Sequence, residues 1–398
     1  TSYIIIVKRQ MGDQYIFLII SMLTGLGIIM LFRLNPDYGF AQIKWYGFGI
    51  VLYFASYILF RTIKNWDRYI YVYIIGSMLL FLMTFTLGIN IKGSINWVRI
   101  GDFTFQPAEA TKIFFVFFIA AYYNLILDSK ETEDIAEGKD VPSSKKDMLS
   151  GSSTGKNRAA NYGNLIKNKQ IIKNKYVFLI IIYSHLFLLL AQRELGMTVL
   201  FYVVFISIFY IYEEDYKLLF YNIGALMIIL VLSYFTLSHV KIRLTTWINP
   251  WKQISGKGYQ ITQSLFAITT GGFFGTGLGL GNPAFIPAVH TDFIFSAICE
   301  EMGLFGGMAV VLLYFILIYR GFKIALTIKD SFRKIVALGI TLIYGYQTFI
   351  IIGGVIKLIP LTGITLPFIS YGGSSLISAF IAFGILQAIS KGTSRVIE

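Results

Sequence analysis

The sequence predicts an all-α polytopic membrane protein with about ten transmembrane helices and a long extracellular loop between helices 7 and 8. Hydrophobic residues make up 56% of the 398 residues and charged residues only 14%, with a mean hydropathy of +0.68. A soluble domain has roughly a quarter of its residues charged, so this composition favours lipid as the surrounding medium. Two further observations support the prediction: the apolar residues occur in runs, and the basic residues are divided unequally between the segments that join these runs.

Ten apolar runs have about the 20-residue length that a membrane-spanning helix needs. The second run is the shortest, and the fifth and sixth almost touch. The predicted spans are residues 13–32, 45–60, 69–88, 107–127, 176–192, 194–212, 218–237, 293–319, 335–353 and 372–390.

The distribution of Lys and Arg predicts the orientation of these spans, because basic residues accumulate on the cytoplasmic side of a membrane. With the N-terminus inside, the inner segments carry 23 basic residues and the outer segments carry 10. The inner excess persists, at 13 to 10, when the long inner segment 128–175 is left out. Both termini are therefore predicted to lie in the cytoplasm.

The chain is predicted to form one integral membrane domain with a polar interruption. Residues 128–175 are rich in Lys, Asp, Glu, Ser, Gly and Asn and are too polar to bury a core. We predict that they form a flexible cytoplasmic linker between the first four helices, in residues 1–127, and the last six, in residues 176–398. The second part includes the extracellular loop at residues 238–292.

The composition also argues against other classes of protein. The net charge of +13 is compatible with nucleic-acid binding, but 17% aromatic residues and repeated apolar runs make a basic membrane-protein surface the better interpretation. Membrane lipid, and no nucleic acid, is therefore the predicted partner. The single cysteine, Cys299, excludes an intramolecular disulfide, and three histidines without metal-ligand spacing argue against a zinc site.

Two ionisable residues lie at the start of the fourth predicted span. Glu109 and Lys112 are three residues apart, so they share one helix face and can neutralise each other. One interpretation is a structural ion pair that closes the helix bundle. The other is the polar wall of a cleft that meets an anionic, lipid-linked substrate, and the spacing alone does not separate the two.

Two segments predict ordered but irregular backbone near the outer surface. Residues 238–292 contain six glycines between positions 271 and 281 together with several Trp and Phe residues, which predicts packing over a cavity rather than a mobile loop. Residues 356–375 hold two prolines and three glycines, so the connection between the last two spans is predicted to be broken and re-entrant. Irregular backbone at membrane depth normally lines a cavity.

Five strings in the chain carry a family resemblance. They are NWVRIGDFTFQPAEATK at 96–112, AQRELGM at 191–197, GYQITQSLFAITTGGFFGTGLGLG at 258–281, HTDFIFSAICEEMG at 290–303 and IPLTGITLPFISYGGSS at 359–375. These strings resemble the motifs of the SEDS family of bacterial shape, elongation, division and sporulation proteins, which includes RodA, FtsW and SpoVE. The match runs through most of the chain in the family's order, and ten spans is the number that the family has.

The resemblance implies the SEDS fold and the activity of a peptidoglycan glycosyltransferase. Such an enzyme polymerises lipid II, an undecaprenyl-linked sugar, into glycan strands at the outer face of the bacterial cytoplasmic membrane. The implied partner is a class B penicillin-binding protein, which cross-links the strands. No cofactor is implied with certainty, although a divalent cation would suit the diphosphate that leaves.

The resemblance also implies which residues bind the substrate. Glu109 and Lys112 match the paired charges of the family's fourth helix, and Glu194 matches an acid that the family usually has as Asp. Arg99, Lys112 and Arg243 would meet the diphosphates of the donor and the acceptor. The implied substrate-binding residues are Arg99, Gln106, Glu109, Lys112, Glu194, Arg243, Gln260, Gln263, His290, Asp292, Ser370 and Gly372.

The implied catalytic position is unusual in this chain. The reaction needs a base for the proton of the acceptor hydroxyl, and in the family this base is an Asp two residues after the Trp of an NPW-type string. Here the string reads NPWKQ at 249–253, so Gln253 occupies the position, and its amide cannot act as a base near neutral pH. Three explanations stay open: the chain is a naturally inactive scaffold for a partner, an inactivating substitution has been introduced, or another acid serves. The candidate acids are Asp102, Asp292, Glu300 and Glu301.

Two other functions stand beside the polymerase. A non-catalytic membrane scaffold would bind and regulate a class B penicillin-binding protein without turnover. A lipid-linked sugar flippase would also use charged residues within spans and broken helices, but transporters are commonly built from internal repeats, and the halves of this chain show no obvious repeat.

Overall fold

A computed structural model describes residues 2–91, 94–101, 103–136, 173–213 and 215–392. The strands are β1 (Gly88–Ile91), β2 (Ser94–Ile100) and β3 (Phe103–Phe105). The helices are α1 (Ser2–Lys8), α2 (Gln14–Leu34), α3 (Pro36–Thr62), α4 (Ile70–Leu87), α5 (Pro107–Ala136), α6 (Lys175–Ala191), α7 (Leu195–Tyr212), α8 (Tyr216–Thr236), α9 (Ser238–Ile248), α10 (Tyr259–Gly271), α11 (Ile294–Thr327), α12 (Ser331–Val355) and α13 (Gly373–Ser390).

Nine helices among the described residues are long and apolar enough to cross a membrane. They correspond to nine of the ten predicted spans, so the polytopic helical membrane fold is confirmed. The fifth predicted span, 176–192, corresponds to α6, which has only 17 residues. It has the length of the predicted span and ends at Ala191, where the chain turns through Gln192 and Arg193, whose φ is 61°.

The long helices differ in how much of their surface the protein covers. In the most apolar 18-residue stretch of α12 and of α13, 72% of the residues are buried, whereas the value for α8 is 11%. A helix that is apolar on all sides is buried in protein or surrounded by lipid. We therefore place α12 and α13 at the centre of the bundle and α8 at its lipid-facing edge.

Asn35 explains why the second membrane helix begins before the predicted residue 45. It ends α2 and caps α3, since its side-chain Oδ1 accepts a hydrogen bond of 2.8 Å from the Asp37 backbone N–H. Pro36 follows at the first helical position, where its missing N–H has no intrahelical partner to lose. The helix therefore starts at Pro36 and includes the polar residues that the sequence analysis assigned to an outer segment.

A small antiparallel sheet joins α4 to α5 and was missed by the helical prediction. Strand β1 pairs with β2, and β2 pairs with β3, in the order β1-β2-β3. Residues 88–100 are rich in β-branched Ile and Val, which favour strands. These strands have three to seven residues, far fewer than the roughly 20 apolar residues of a membrane-spanning run.

The glycine-rich part of residues 238–292 is an ordered turn packed against α11. The backbone N–H of Gly277 donates to the Glu301 carbonyl at 3.0 Å, and that of Leu304 donates to the Gly272 carbonyl at 2.9 Å. Gly303 interrupts α11 with a φ of 69°. A methyl group at Gly275 would lie 2.2 Å from the Glu301 carbonyl oxygen, so only glycine fits there. The prediction of ordered packing is confirmed for this turn.

The predicted flexible linker begins later than the sequence analysis placed it. Helix α5 continues to Ala136, so residues 128–136 are helical rather than part of a linker. Residues 137–172, which make up most of the predicted linker, lie outside the described residues.

Helices α3 and α13 cross at very close range. A methyl group at Gly384 would lie 2.1 Å from Ser56 Oγ and 2.4 Å from the Tyr53 carbonyl oxygen. Ser56 donates to the Ile381 carbonyl at 3.1 Å, and the Tyr53 hydroxyl donates to Gln387 Oε1 at 3.0 Å. Small residues and interhelical hydrogen bonds are the main source of helix association in lipid.

This crossing predicts that Gly384→Ala destabilises the protein. Overpacking of a tight contact costs about 1–3 kcal/mol. The matched control is Gly25→Ala in α2, where an added methyl group meets nothing within 4 Å and gains up to about 1 kcal/mol of helix propensity. Thermal unfolding of the detergent-solubilised variants measures both, and equal midpoints would contradict the close crossing.

Candidate functional site

A cavity of about 500 Å³ lies at the end of the bundle where α5, α7 and α13 begin. Its wall comes from the sheet, the turn before α7, helix α9, the segment before α11 and the irregular segment before α13. The lining residues are Trp45, Asn96, Trp97, Thr104, Gln106, Glu109, Arg193, Glu194, Leu195, Gly196, Met197, Arg243, His290, Thr291, Asp292, Thr362, Gly363, Ile364, Thr365, Tyr371, Gly372 and Gly373.

The cavity brings together many of the predicted site residues from distant parts of the chain. Those that line it are Gln106, Glu109, Glu194, Arg243, His290, Asp292 and Gly372.

Glu109 and Lys112 form a buried ion pair at the cavity wall. Glu109 Oε2 lies 2.6 Å from Lys112 Nζ, and neither side chain is more than 3% exposed. The Ser378 hydroxyl donates to Glu109 Oε2 at 2.9 Å, and Lys112 donates to Gln347 Oε1 at 2.9 Å. The pair therefore ties α5 to α12 and α13, as the structural interpretation predicted. Glu109 also forms part of the cavity wall, with Lys112 behind it.

Gln347 extends this network to the segment before α13. Its Nε2 donates to the Thr365 carbonyl at 2.8 Å, and Thr365 lines the cavity. Residues 356–372 contain no helix or strand, which confirms the predicted break between the last two spans. The network thus holds the irregular backbone against α5 and α12. It also supplies hydrogen-bond partners for polar groups, which lipid could not do.

The same segment supports the residues that precede α11. The Ser370 hydroxyl donates to the Thr291 carbonyl at 2.5 Å, and the Tyr371 N–H donates to the His290 carbonyl at 2.8 Å. The His290 ring also stacks on Tyr38, with 4.5 Å between ring centroids. Ser370 itself does not line the cavity, so the structure places it as a support for the cavity wall.

Arg243 brings a guanidinium group to the wall beside Asp292. Its Nη1 donates to the Thr362 carbonyl at 2.5 Å. A methyl group at Gly363 would lie 3.0 Å from Arg243 Nη2 and 3.7 Å from Asp292 Oδ2, so the two charged groups converge at this glycine. Burial lowers the pKa of Arg243, while Asp292 and Glu194 raise it. A guanidinium stays protonated in proteins, so the site keeps this positive charge.

Glu194 lies in the turn before α7 and lines the cavity between Gln106 and Arg243. Gln106 Nε2 donates to Glu194 Oε1 at 2.9 Å. Burial raises the pKa of Glu194 to about 7, and the negative charge of Glu109 adds to the increase, while Arg243 and the Gln106 hydrogen bond oppose it. A carboxyl group with a pKa near 7 can accept and release a proton at neutral pH.

The candidate acids from the sequence analysis occupy different places. Asp292 lines the cavity, and Asp102 lies outside the described residues. Glu300 and Glu301 lie on α11 away from the cavity lining and bind the glycine-rich turn. We therefore assign these two carboxylates a structural role.

Glu301 anchors the glycine-rich turn to the first membrane helix. Glu301 Oε1 lies 2.9 Å from Arg33 Nε, and Arg33 Nη2 donates to the Gly281 carbonyl at 2.8 Å. The neighbouring Glu300 accepts a hydrogen bond of 2.8 Å from the Asn282 N–H. The turn leads directly to His290 and Asp292, so this anchor helps to fix one side of the cavity.

Besides Ser370, three predicted residues lie outside the cavity lining and the ion pair. Arg99 is exposed on β2, and Gln263 is half-buried on α10. Gln260 Nε2 donates to the Pro287 carbonyl at 2.8 Å and so supports the chain before His290. Gln253 belongs to the 3₁₀ turn Pro250–Gln253, whose first three residues do not line the cavity.

The sequence analysis missed the aromatic part of the wall. Trp45, Trp97 and Tyr371 line the cavity, as does Asn96. Asn96 is 8% exposed, and its Oδ1 has no hydrogen-bond partner among the described residues. Asn96, Trp97 and Tyr371 lie inside the family-like strings, so those strings contained the signal. Trp45 lies inside α3 with no motif beside it.

The fold and the site together define a multi-pass membrane protein with a polar cavity at one end of its helix bundle. A family model for FtsW, RodA and SpoVE, described as a cell cycle protein, matches residues 13–395. The chain belongs to this family of bacterial membrane proteins.

Two relatives show how far the similarity extends. Peptidoglycan glycosyltransferase RodA of Mycobacterium tuberculosis is 32% identical over 397 residues, which cover 96% of this chain and 79% of the relative. Stage V sporulation protein E of Bacillus subtilis is 30% identical over 399 residues, which cover 96% of this chain and 98% of the relative.

Solved structures share the fold at lower identity. A chain from a peptidoglycan synthase complex that coordinates polymerization and crosslinking aligns with a TM-score of 0.70 at 20% identity, over 96% of this chain and 98% of that one. The rod shape determining protein RodA of Thermus thermophilus aligns with a TM-score of 0.62 at 20% identity, over 96% of this chain and 97% of that one.

The buried ion pair predicts a large effect of Lys112→Met. The substitution leaves the Glu109 carboxylate buried without a cation, which costs about 3–5 kcal/mol. The double variant Glu109→Gln/Lys112→Met should recover most of this loss, because no net charge is then buried. Thermal unfolding distinguishes the variants, with Lys217→Met at an exposed position of α8 as the control. A double variant no more stable than Lys112→Met would contradict the pairing.

The Arg33–Glu301 anchor predicts a local effect of Glu301→Gln. Loss of the carboxylate weakens charge-assisted bonds worth about 1.5–3 kcal/mol each, so the turn should open more often. Hydrogen exchange should become at least about tenfold faster at the Gly279 amide, which donates to Glu301 Oε2 at 3.1 Å. Exchange within α12 is the internal control, and a uniform increase across both regions would refute a local anchor.

Proposed function

We propose that this chain polymerises lipid II into glycan strands and that the reaction takes place in the cavity lined by Glu194 and Arg243. The proposal is supported by membership of the family and by relatives named as peptidoglycan glycosyltransferases. The observation that carries it is the cavity itself, which places a carboxyl group with a pKa near 7 in the same wall as a fixed guanidinium.

The reaction assigns a separate task to each of these two groups. The Glu194 carboxylate takes the proton of the acceptor sugar hydroxyl, and the hydroxyl oxygen forms a bond to the anomeric carbon of the donor. The bond between that carbon and the diphosphate breaks, and its electron pair leaves with the lipid diphosphate. Arg243 stabilises the negative charge that develops on the diphosphate oxygens.

Glu194 suits the role of base better than the other acids of the wall. Glu109 is neutralised by Lys112, and Asp292 lies beside Arg243. Gln253 carries an amide, which cannot accept a proton near neutral pH. Glu194 also faces a neutral donor, Gln106, which leaves its second oxygen for the substrate.

The aromatic wall suits a sugar substrate. Trp45, Trp97 and Tyr371 offer apolar ring surfaces on which a sugar ring can pack. The unpartnered Oδ1 of Asn96 offers an acceptor for a hydroxyl or an acetamido N–H. The remaining predicted site residues, including Arg99, Gln260 and Gln263, are proposed to act at the cavity's margin.

The proposed setting is the outer face of the bacterial cytoplasmic membrane, with both termini in the cytoplasm. The unequal distribution of basic residues supports this orientation. A class B penicillin-binding protein is the proposed partner, because a similar chain comes from a synthase complex that couples polymerization to crosslinking. A divalent cation at the diphosphate remains a prediction. The described residues hold no group of three or more His, Cys, Asp or Glu that could bind a metal ion.

Glu194→Gln is expected to lower polymerisation of labelled lipid II by about 10²–10⁴-fold, the usual contribution of a general base. The active form of Glu194 is the carboxylate, so wild-type activity should rise as pH increases through about 7 and then level off. Gel analysis of the polymer across pH 5.5–8.5 measures this profile. Asp292→Asn should keep the rise with pH, and a pH profile that is unchanged in Glu194→Gln would exclude Glu194 as the base.

A scaffold is the second candidate function, and the amide at Gln253 favours it. Lipid II polymerisation by the wild type and by Gln253→Asp separates the two functions. Polymer from the wild type supports the catalytic proposal, whereas no polymer from either form, with stable binding to a class B penicillin-binding protein, supports the scaffold. A lipid II scrambling assay in vesicles tests the flippase alternative in the same preparation.

A further inference from the structure

A second cavity, of about 1220 Å³, lies at the opposite end of the helix bundle. Helices α3 and α13 run between the two cavities. Trp45 and Gly373, near their starts, line the first cavity, whereas Arg61 and Lys391, at their ends, line the second. The second cavity is therefore separated from the candidate catalytic site by about the length of a membrane-spanning helix, and its function is a separate question.

Basic residues from three helix ends converge on this cavity. Arg61 and Lys64 lie at the end of α3, Arg333 lies in the first turn of α12, and Lys391 follows α13. None of the described residues that line the cavity is acidic. Four cations around one cavity create a positive potential that attracts an anion.

Two acidic residues near this end, Asp13 and Asp330, are engaged by other groups. Asp13 lies 3.2 Å from Arg320 Nη1, and Asp13 Oδ1 also caps α2 by accepting from the Tyr15 N–H. Asp330 caps α12 by accepting a hydrogen bond of 2.7 Å from the Arg333 backbone N–H. These contacts hold the two carboxylates at helix starts, and neither residue lines the cavity.

The short helix α1 gives the cavity an apolar wall. Ile6 and Val7 line it, and Ile6 is fully buried. Ile4, Ile5 and Val7 are 54%, 41% and 41% exposed. A helix that presents apolar side chains next to basic residues is typical of a segment that lies in the interface of a membrane. The cavity therefore has a cationic part and an apolar border that meets lipid.

We propose that this cavity binds the phosphate headgroup of an anionic membrane phospholipid, whose acyl chains lie along α1. Basic pockets between transmembrane helices suit such headgroups because the phosphate accepts charge-assisted hydrogen bonds. Arg61 is already oriented, since its Nη1 donates to the Tyr57 hydroxyl at 3.2 Å. The apolar border at α1 favours a lipid over a soluble phosphate, because only a lipid has acyl chains that can pack against these side chains.

Lipid-dependent thermal unfolding of the full chain in detergent tests the proposal. Phosphatidylglycerol, phosphatidylcholine and inorganic phosphate are titrated separately into the wild type. The test variant is Lys64→Gln/Arg333→Gln, and the control variant is Lys329→Gln/Lys334→Gln. The control removes the same charge from the same end of the bundle, at positions that do not line the cavity.

Phosphatidylglycerol is expected to stabilise the wild type and the control variant, and its apparent affinity should fall about thirtyfold in the test variant. The single variant Lys64→Gln should lose about fivefold, which keeps the test usable if the double variant folds poorly. Equal loss in the test and control variants would overturn the proposal, as would equal stabilisation by phosphatidylcholine. A matching shift with inorganic phosphate alone would replace the lipid by a soluble phosphate compound and would also overturn it.

Discussion

The ion pair between Glu109 and Lys112 is the interaction on which the arrangement of the central helices depends. A charge at membrane depth is expensive unless a partner compensates it. Glu109 satisfies this requirement with Lys112 and Ser378, and Lys112 satisfies it with Glu109 and Gln347. Because these partners belong to α5, α12 and α13, the three helices can pack in few other ways. Glu109, the acidic member of the pair, then forms part of the cavity wall.

Irregular backbone surrounds the cavity because helices alone cannot bring so many polar groups to one place. The glycine-rich turn is fixed through Glu301 and Arg33, and the segment before α13 is fixed through Gln347 and Ser370. Protein partners, rather than lipid, satisfy the backbone groups of both segments. The two segments meet where Tyr371 donates to the His290 carbonyl, so the positions of these two wall segments depend on each other.

Three carboxylates share one wall but differ in their surroundings. Glu109 has a lysine partner, Asp292 lies beside Arg243, and Glu194 has a neutral amide partner. In an enzyme site, different surroundings give chemically similar acids different pKa values and therefore different roles. In this chain the acid with the neutral partner, Glu194, lines the cavity, whereas the position that the family resemblance implies for the base carries the amide of Gln253.

The sequence by itself determined the membrane helices and the shared helix face of Glu109 and Lys112, because apolar run length and a three-residue spacing are local properties. It did not predict the three-stranded sheet, because strands of three to seven residues are far shorter than an apolar run of spanning length. Only the tertiary structure decided which residues share the cavity. Gln106 forms a hydrogen bond with Glu194, which is 88 residues away in the sequence, and Lys112 forms one with Gln347, which is 235 residues away. The raised pKa of Glu194 has the same origin, since burial and a neighbouring charge come from segments far away in the chain.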